Sequence, residues 1–149
     1  MKNNYMTARP WGFRSLSYWL VVLTSLGIIF IGVRFIADPT AGAHGFGIDF
    51  SCAADIAYGH IKGIRDMYAG LAILILAALR LRQVTGWVYA SAMIIPITDG
   101  FIVLQTNGIH DVAHLSIHWG TVLGMIIISL LVLLPTWKRS SEPSDSSYR

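Results

Sequence analysis

Gly59-His60-Ile61-Lys62-Gly63-Ile64-Arg65-Asp66-Met67-Tyr68-Ala69-Gly70 decides how the rest of the chain is read. The stretch puts Lys62, Arg65 and Asp66 at the mouth of an apolar segment that continues from Leu71 to Leu79 and is long enough to cross a bilayer. A charged side chain inside hydrocarbon costs at least about 2.5–3.5 kcal/mol, so such residues face a bundle interior or a wet cavity and mark a functional site by default. Lys62 and Asp66 stand four residues apart and can pair along one helix face. Arg65, rotated about 100° from Asp66, is free to reach another helix. Gly59, Gly63 and Gly70 let a neighbouring helix come close, as small residues do in membrane packing.

Composition agrees with a membrane class. The 149 residues are 54% hydrophobic and only 13% charged, too apolar for a soluble domain of this size, and the apolar runs have no polar face from which to build a solvated shell. The formal charge of +3 does not signal nucleic-acid binding, because the basic residues are scattered among helix ends. Cys52 is the single cysteine, which excludes an intrachain disulfide.

Working outward, the sequence predicts an all-α, four-helix transmembrane bundle. Residues 1–15 read as a basic cytoplasmic arm, 16–134 as the membrane domain and 135–149 as a disordered cytoplasmic tail. The first helix is expected over Leu16–Ala37, a retained span and not a cleaved signal, since a signal's apolar stretch is shorter, about 7–15 residues. Residues 38–58 form a Gly-, Ala- and Asp-rich connection with room for a short helix, and Ala41–Gly47 within it reads as a flexible lid or turn; it has no setting for a phosphate loop. A second helix is predicted over Tyr58–Leu79, ending at Arg80-Leu81-Arg82-Gln83. A third is predicted over Gly86–Thr106, where Pro96 frees the Ala92 carbonyl and kinks the helix. Asn107-Gly108 then makes a turn, and a fourth helix runs from Asp111 to Leu134.

Eight of the eleven Lys and Arg residues fall on the side of the N-terminus, the second connection and the C-terminus, which sets both termini in the cytoplasm. Tyr18, Trp19, Trp87, Tyr89 and Trp137 mark the same side as an aromatic belt. The other three basic residues, Arg34, Lys62 and Arg65, lie at or within helix ends on the opposite side, in the same leaflet as Asp66, Asp99, His114 and His118. At 1.5 Å per residue Asp99 sits about 10 Å inside the third helix's outer end. Asp99 is expected to pair with Arg65 or Arg34, or to carry a proton. Arg34, Lys62 and Arg65 against Asp66 and Asp99 leave +1, which an anionic ligand or a further aspartate would balance.

Each residue has a structural alternative. Arg34 and Lys62 are close enough to the helix ends to snorkel to the headgroups, and Arg65 with Asp66 fits a salt bridge that registers two helices. His110, His114 and His118 recur every fourth residue, and Thr121 extends their stripe; two histidines make half a metal site, so no metal and no cofactor is assigned.

Gly32-Val33-Arg34-Phe35, Pro39, Gly45-Phe46-Gly47, Lys62-Gly63-Ile64-Arg65-Asp66, Gly70, Pro96, Asp99 and His118-Trp119-Gly120-Thr121 together resemble a family of small four-helix membrane proteins known as domain of unknown function 4267, over roughly residues 20–134. The Gly-x-Arg ending of the first helix carries a fainter likeness to DoxX-like membrane proteins. The resemblance implies a fold and a membrane location, plasma membrane or endomembrane, and a place beside small-molecule pathways.

The function expected from these residues is acid–base chemistry of an isomerase or cyclase type on a lipophilic small molecule in a biosynthetic pathway. Asp99 would serve as general acid or base, His118 as its proton-transfer partner, and Arg65 with Asp66 would orient and stabilise charge. Arg34, Lys62, His114 and Trp119 would bind the lipophilic or anionic substrate. Two alternatives stand beside it: a small homodimeric proton-coupled transporter, and an accessory membrane subunit without catalysis. The partners expected are the lipid bilayer, the small molecule and a second copy, with no nucleic acid.

Overall fold

A computed structural model describes residues 11–134, and all six elements are helical: α1 (Leu16–Ala37), α2 (Pro39–Phe46), α3 (Ala53–Ala78), α4 (Arg82–Ser91), α5 (Ile94–Asn107) and α6 (Val112–Leu133). No strand occurs among the described residues. Three helical stretches are long and apolar enough to cross a membrane: α1, the α4–α5 stretch over Arg82–Asn107, and α6. The fourth long helix, α3, carries Asp55, Lys62, Arg65 and Asp66 and so is less apolar over its first half. The tail expected at 135–149 and the arm before residue 11 lie outside the described residues.

The helices form two pairs. In the first, α1 runs along α3 at close range. A Cβ added to Gly32 would stand 2.6 Å from the Gly63 carbonyl oxygen, and one added to Gly63 would stand 2.7 Å from that of Gly32, so each backbone occupies the space the other's side chain would need. Lipid is as apolar as leucine and gives helices little hydrophobic reason to associate, so this backbone contact is what such a pair requires. In the second pair, α6 packs against both α4 and α5.

The pairs share an apolar core at one end. There Trp11, Tyr18, Val21, Ile73, Ala77, Tyr89, Met125, Ile128 and Val132 form the core. The Tyr89 hydroxyl donates to Thr24 Oγ1 at 3.0 Å, joining α4 to α1. Arg82 reaches the end of α6 and donates to the carbonyls of Val132 and Leu134, both at 2.7 Å, which satisfies acceptors that a helix C-terminus leaves without partners. Toward the other end α3 and α5 make few direct contacts, and α2 packs on α1 and α3 and reaches α6 through the Phe46 carbonyl and α5 through Gly47.

The structure corrects three expectations. The glycine-rich Ala41–Gly47 stretch is no loop, because Pro39–Phe46 is helical. Asp38 caps it by accepting from the Ala41 N–H at 2.9 Å, and Gly47 ends it in the left-handed conformation at φ 100°. The Ala92 carbonyl that Pro96 cannot bond is not free, since Ile95 N–H takes it at 3.0 Å; the helix breaks at Ala92–Met93, and Pro96 falls in the first turn of α5, where proline is tolerated. Of the aromatic belt, Trp19 and Trp87 are exposed but Tyr18 and Tyr89 are buried in the core, where each has a packing role; Trp137 lies outside the described residues.

Candidate functional site

Where the two helix pairs diverge, they line a partly open cavity of about 190 Å³. Its floor is apolar, with Ile28, Ile73 and Met125 from α1, α3 and α6, and the α4–α5 break opens onto it through Ala92, with Ile95 and Pro96 beside it. Its other end carries Arg34, Lys62, Asp66, Asp99 and His118 and is covered by Gly42, Gly45 and Phe46 of α2.

Lys62 is the hub of that polar end. Its ammonium donates to Asp66 Oδ2 at 3.0 Å within α3 and lies 3.7 Å from Asp99 Oδ2 on α5. It also stands 4.8 Å from the Phe46 ring centroid and 5.3 Å from that of Phe35, within range of the negative ring faces. Lys62 is therefore held from both sides by carboxylates and aromatic rings and does not extend away to the headgroups. The partner of Asp99 is this lysine, not Arg65 or Arg34 as the spacing suggested. Spacing along one helix decides which residues share a face, but the rotation of α5 against α3 decides which of them meet.

His118 is buried and faces α2. Its Nε2 lies 3.0 Å from the Phe46 carbonyl, and its ring packs edge-on against Phe46 with centroids 4.7 Å apart. A carbonyl only accepts, so Nε2 carries the hydrogen, and in the neutral ring the lone pair is on Nδ1. Arg34 lines the cavity and donates to the Ala41 carbonyl at 3.2 Å, tying α1 to α2.

Three expected site residues lie apart from the cavity. Arg65 is exposed, on a groove outside it. His114 is engaged with Asp111 at 2.8 Å at the start of α6, and Trp119 packs edge-on against Phe101 at 5.2 Å. Without Arg65, the cavity's charged groups are two cations, Arg34 and Lys62, and two anions, Asp66 and Asp99. The excess of +1 that pointed to an anionic ligand therefore does not arise inside the cavity. Among the described residues no three His, Cys, Asp or Glu side chains gather closely enough to hold a metal ion.

Phe46 and Phe35 were missed by the sequence reading as site residues. The signal available for Phe46 was its place between Gly45 and Gly47, just ahead of a helix stop. Asn107 also gains a role, since its side-chain amide donates to the Gly47 carbonyl at 2.7 Å and to Asp111, fastening the end of α2 to the α5–α6 turn.

A sequence model described as "Domain of unknown function (DUF4267)" matches residues 25–132, a span that contains every residue of the cavity wall. No curated protein and no solved structure matches the chain, and the likeness to DoxX-like proteins is not shown.

Proposed function

The chain belongs to the DUF4267 family, and from that membership and the geometry of its cavity we propose that it is an integral membrane protein of four spans that performs acid–base chemistry on a neutral, lipophilic small molecule. In this reading α3 is the fourth span, its charges turned into the bundle, and the basic end with both termini faces the cytoplasm. One observation carries the proposal: carboxylates from two different helices, Asp66 and Asp99, share one ammonium at the polar end of an otherwise apolar cavity that His118 also lines.

The roles follow from the contacts. Asp99 has the longer contact to Lys62 and is the group that gives and takes the proton; Asp66, at 3.0 Å, holds the lysine in place. His118 has its Nε2 fixed on the Phe46 carbonyl and uses Nδ1 to pass the proton on. The apolar floor holds the hydrocarbon part of the substrate and keeps water from a reactive intermediate. The closely packed core around Tyr89 at the opposite end favours an enzyme over a transporter, which needs access from both sides.

The test is to express the wild-type and Asp99→Asn chains in one host and compare the organic-phase extracts, then incubate detergent-purified protein with the compound that accumulates with the variant. A product made by the wild type in detergent and absent with Asp99→Asn supports the enzyme. A difference that exists only in sealed vesicles under a pH gradient replaces it with the transporter, and identical extracts leave the accessory-subunit reading in its place.

A further inference from the structure

Outside the cavity, a second concavity of about 260 Å³ lies between α3 and α5. It shares Phe35, Phe46, Lys62 and Asp99 with the cavity as a common wall, and its outer side is Phe50, Tyr58, Ile61 and Ile102 with Arg65 on the rim. Arg65 is exposed and makes no ion pair or hydrogen bond through its side chain among the described residues, whereas Lys62 one turn away has two carboxylates.

The depth of Arg65 follows from the helix register. Gly32 packs against Gly63 and Met67, so Arg65 stands level with Gly32, five residues or about 7 Å inside the end of α1 at Ala37. An arginine there, turned to lipid with the Asp99 carboxylate on the same groove but beyond ion-pair distance, gains from an anion within reach of its side chain, and headgroup phosphates are the anions at that level. An apolar groove beside it accommodates a chain.

We propose that this groove binds an acidic phospholipid, its phosphate paired with Arg65 and the upper part of one acyl chain lying against Phe50, Ile61 and Ile102. The guanidinium forks onto the phosphate oxygens, a geometry that a lysine reproduces only as a point charge. The site requires the membrane placement proposed above but not the catalysis, since Arg65 does not line the cavity.

The full-length chain is reconstituted into nanodiscs of phosphatidylcholine with a minority of phosphatidylglycerol, and the lipid retained after detergent extraction is measured by mass spectrometry. Phosphatidylglycerol is expected to be enriched on the wild-type chain, with the enrichment falling about tenfold in Arg65→Gln, the size of one lost charge-assisted contact. Arg65→Lys keeps part of it, Ile102→Trp lowers retention of both lipids by filling the groove, and Arg82→Gln at the opposite end leaves the preference unchanged. Free phosphate in the buffer does not compete, because it lacks the chain. A chain that incorporates without preference, or an Arg65→Gln chain with the full preference, overturns the site alone. An Arg65-dependent dimer in lipid-free detergent assigns the face to a second copy and also overturns it. A chain that stays out of the nanodiscs overturns the membrane placement and the site together.

Discussion

At the end of the bundle that carries Arg82, the charged side chain closes the structure, whereas at the end that carries Lys62 the charged side chain bridges a gap. Arg82 donates to backbone carbonyls at the terminus of α6, which are neutral and fixed. Lys62 meets two side-chain carboxylates, one on its own helix α3 and one on α5. A backbone partner fastens an element; a pair of titratable partners leaves protons to exchange. The same kind of residue thus builds a seam at one end and, in the function proposed above, holds a proton-exchanging pair at the other, and the difference is in what it faces.

The largest effect expected from breaking this contrast is on activity. Asp99→Asn should lower turnover at least about 10²-fold, the scale of a lost general acid or base, while thermal unfolding in detergent barely moves, because Lys62 keeps Asp66 at 3.0 Å. Asp66→Asn should show the reverse weighting, with a clear loss of thermal stability, since it removes the shorter contact. Equal effects of the two variants on both measurements would mean the carboxylates are interchangeable supports.

Next in size is the α1–α3 seam that sets the cavity's width. Gly63→Ala places a methyl carbon 2.7 Å from the Gly32 carbonyl oxygen, a contact that only separation of the two backbones relieves. The expected cost is about 1–3 kcal/mol of stability, read from denaturant titration in detergent, with activity falling in parallel as Lys62 is displaced. Gly124→Ala on α6, where the added carbon meets nothing within 4 Å, is the control: it should leave activity unchanged and raise stability by at most about 1 kcal/mol, the helix preference of alanine over glycine.

At the closed end, Tyr89→Phe removes the hydroxyl's bond to Thr24 and keeps the buried ring. The expected loss is about 1 kcal/mol with turnover unchanged. A Tyr89→Phe chain of normal stability but reduced turnover would show that the two ends are coupled and that the contrast drawn between them is false.

The sequence was most legible where one helix alone carried the information. The bounds of α1 could be read from an uninterrupted apolar run ending in Asp38-Pro39, and they stand as Leu16–Ala37. α3 starts at Ala53, five residues ahead of the Tyr58 that the apolar pattern predicts, because the Asp55 carboxylate accepts from the Ser51 and Cys52 N–H groups and holds the first turn. The short α2 was harder, because Gly42 and Gly45 lower intrinsic helix preference, and only the flanking Asp38-Pro39 and Gly47 argue for it. For the site, the sequence places Lys62, Asp66, Asp99 and His118 toward one end of the bundle but does not choose their partners. That choice depends on the rotation of α5 and on a ring and a carbonyl from α2, neither of which leaves a periodic trace.

The smallest expected effect concerns the fastening that holds α2 over the cavity, and its signature is a pH dependence. Asp111 caps α6 and accepts from the Asn107 amide, then from His114, and these hydrogen bonds hold its carboxyl below the usual carboxylate range. Its unfolded value is about 3.9, so the ionised, bonded form contributes stability above that pH and loses it as pH falls through the lower folded value. Unfolding midpoints in detergent should therefore be level between about pH 7 and 5 and decline below about pH 4. Asp111→Asn should flatten the acid end relative to the wild type while leaving the midpoint near neutral pH almost in place, since asparagine also caps a helix. If the two profiles coincide at acid pH, the Asn107–Asp111–His114 contacts do not fasten the end of α2, and the cover over Lys62 is held by the Arg34–Ala41 hydrogen bond and by Phe46 against His118.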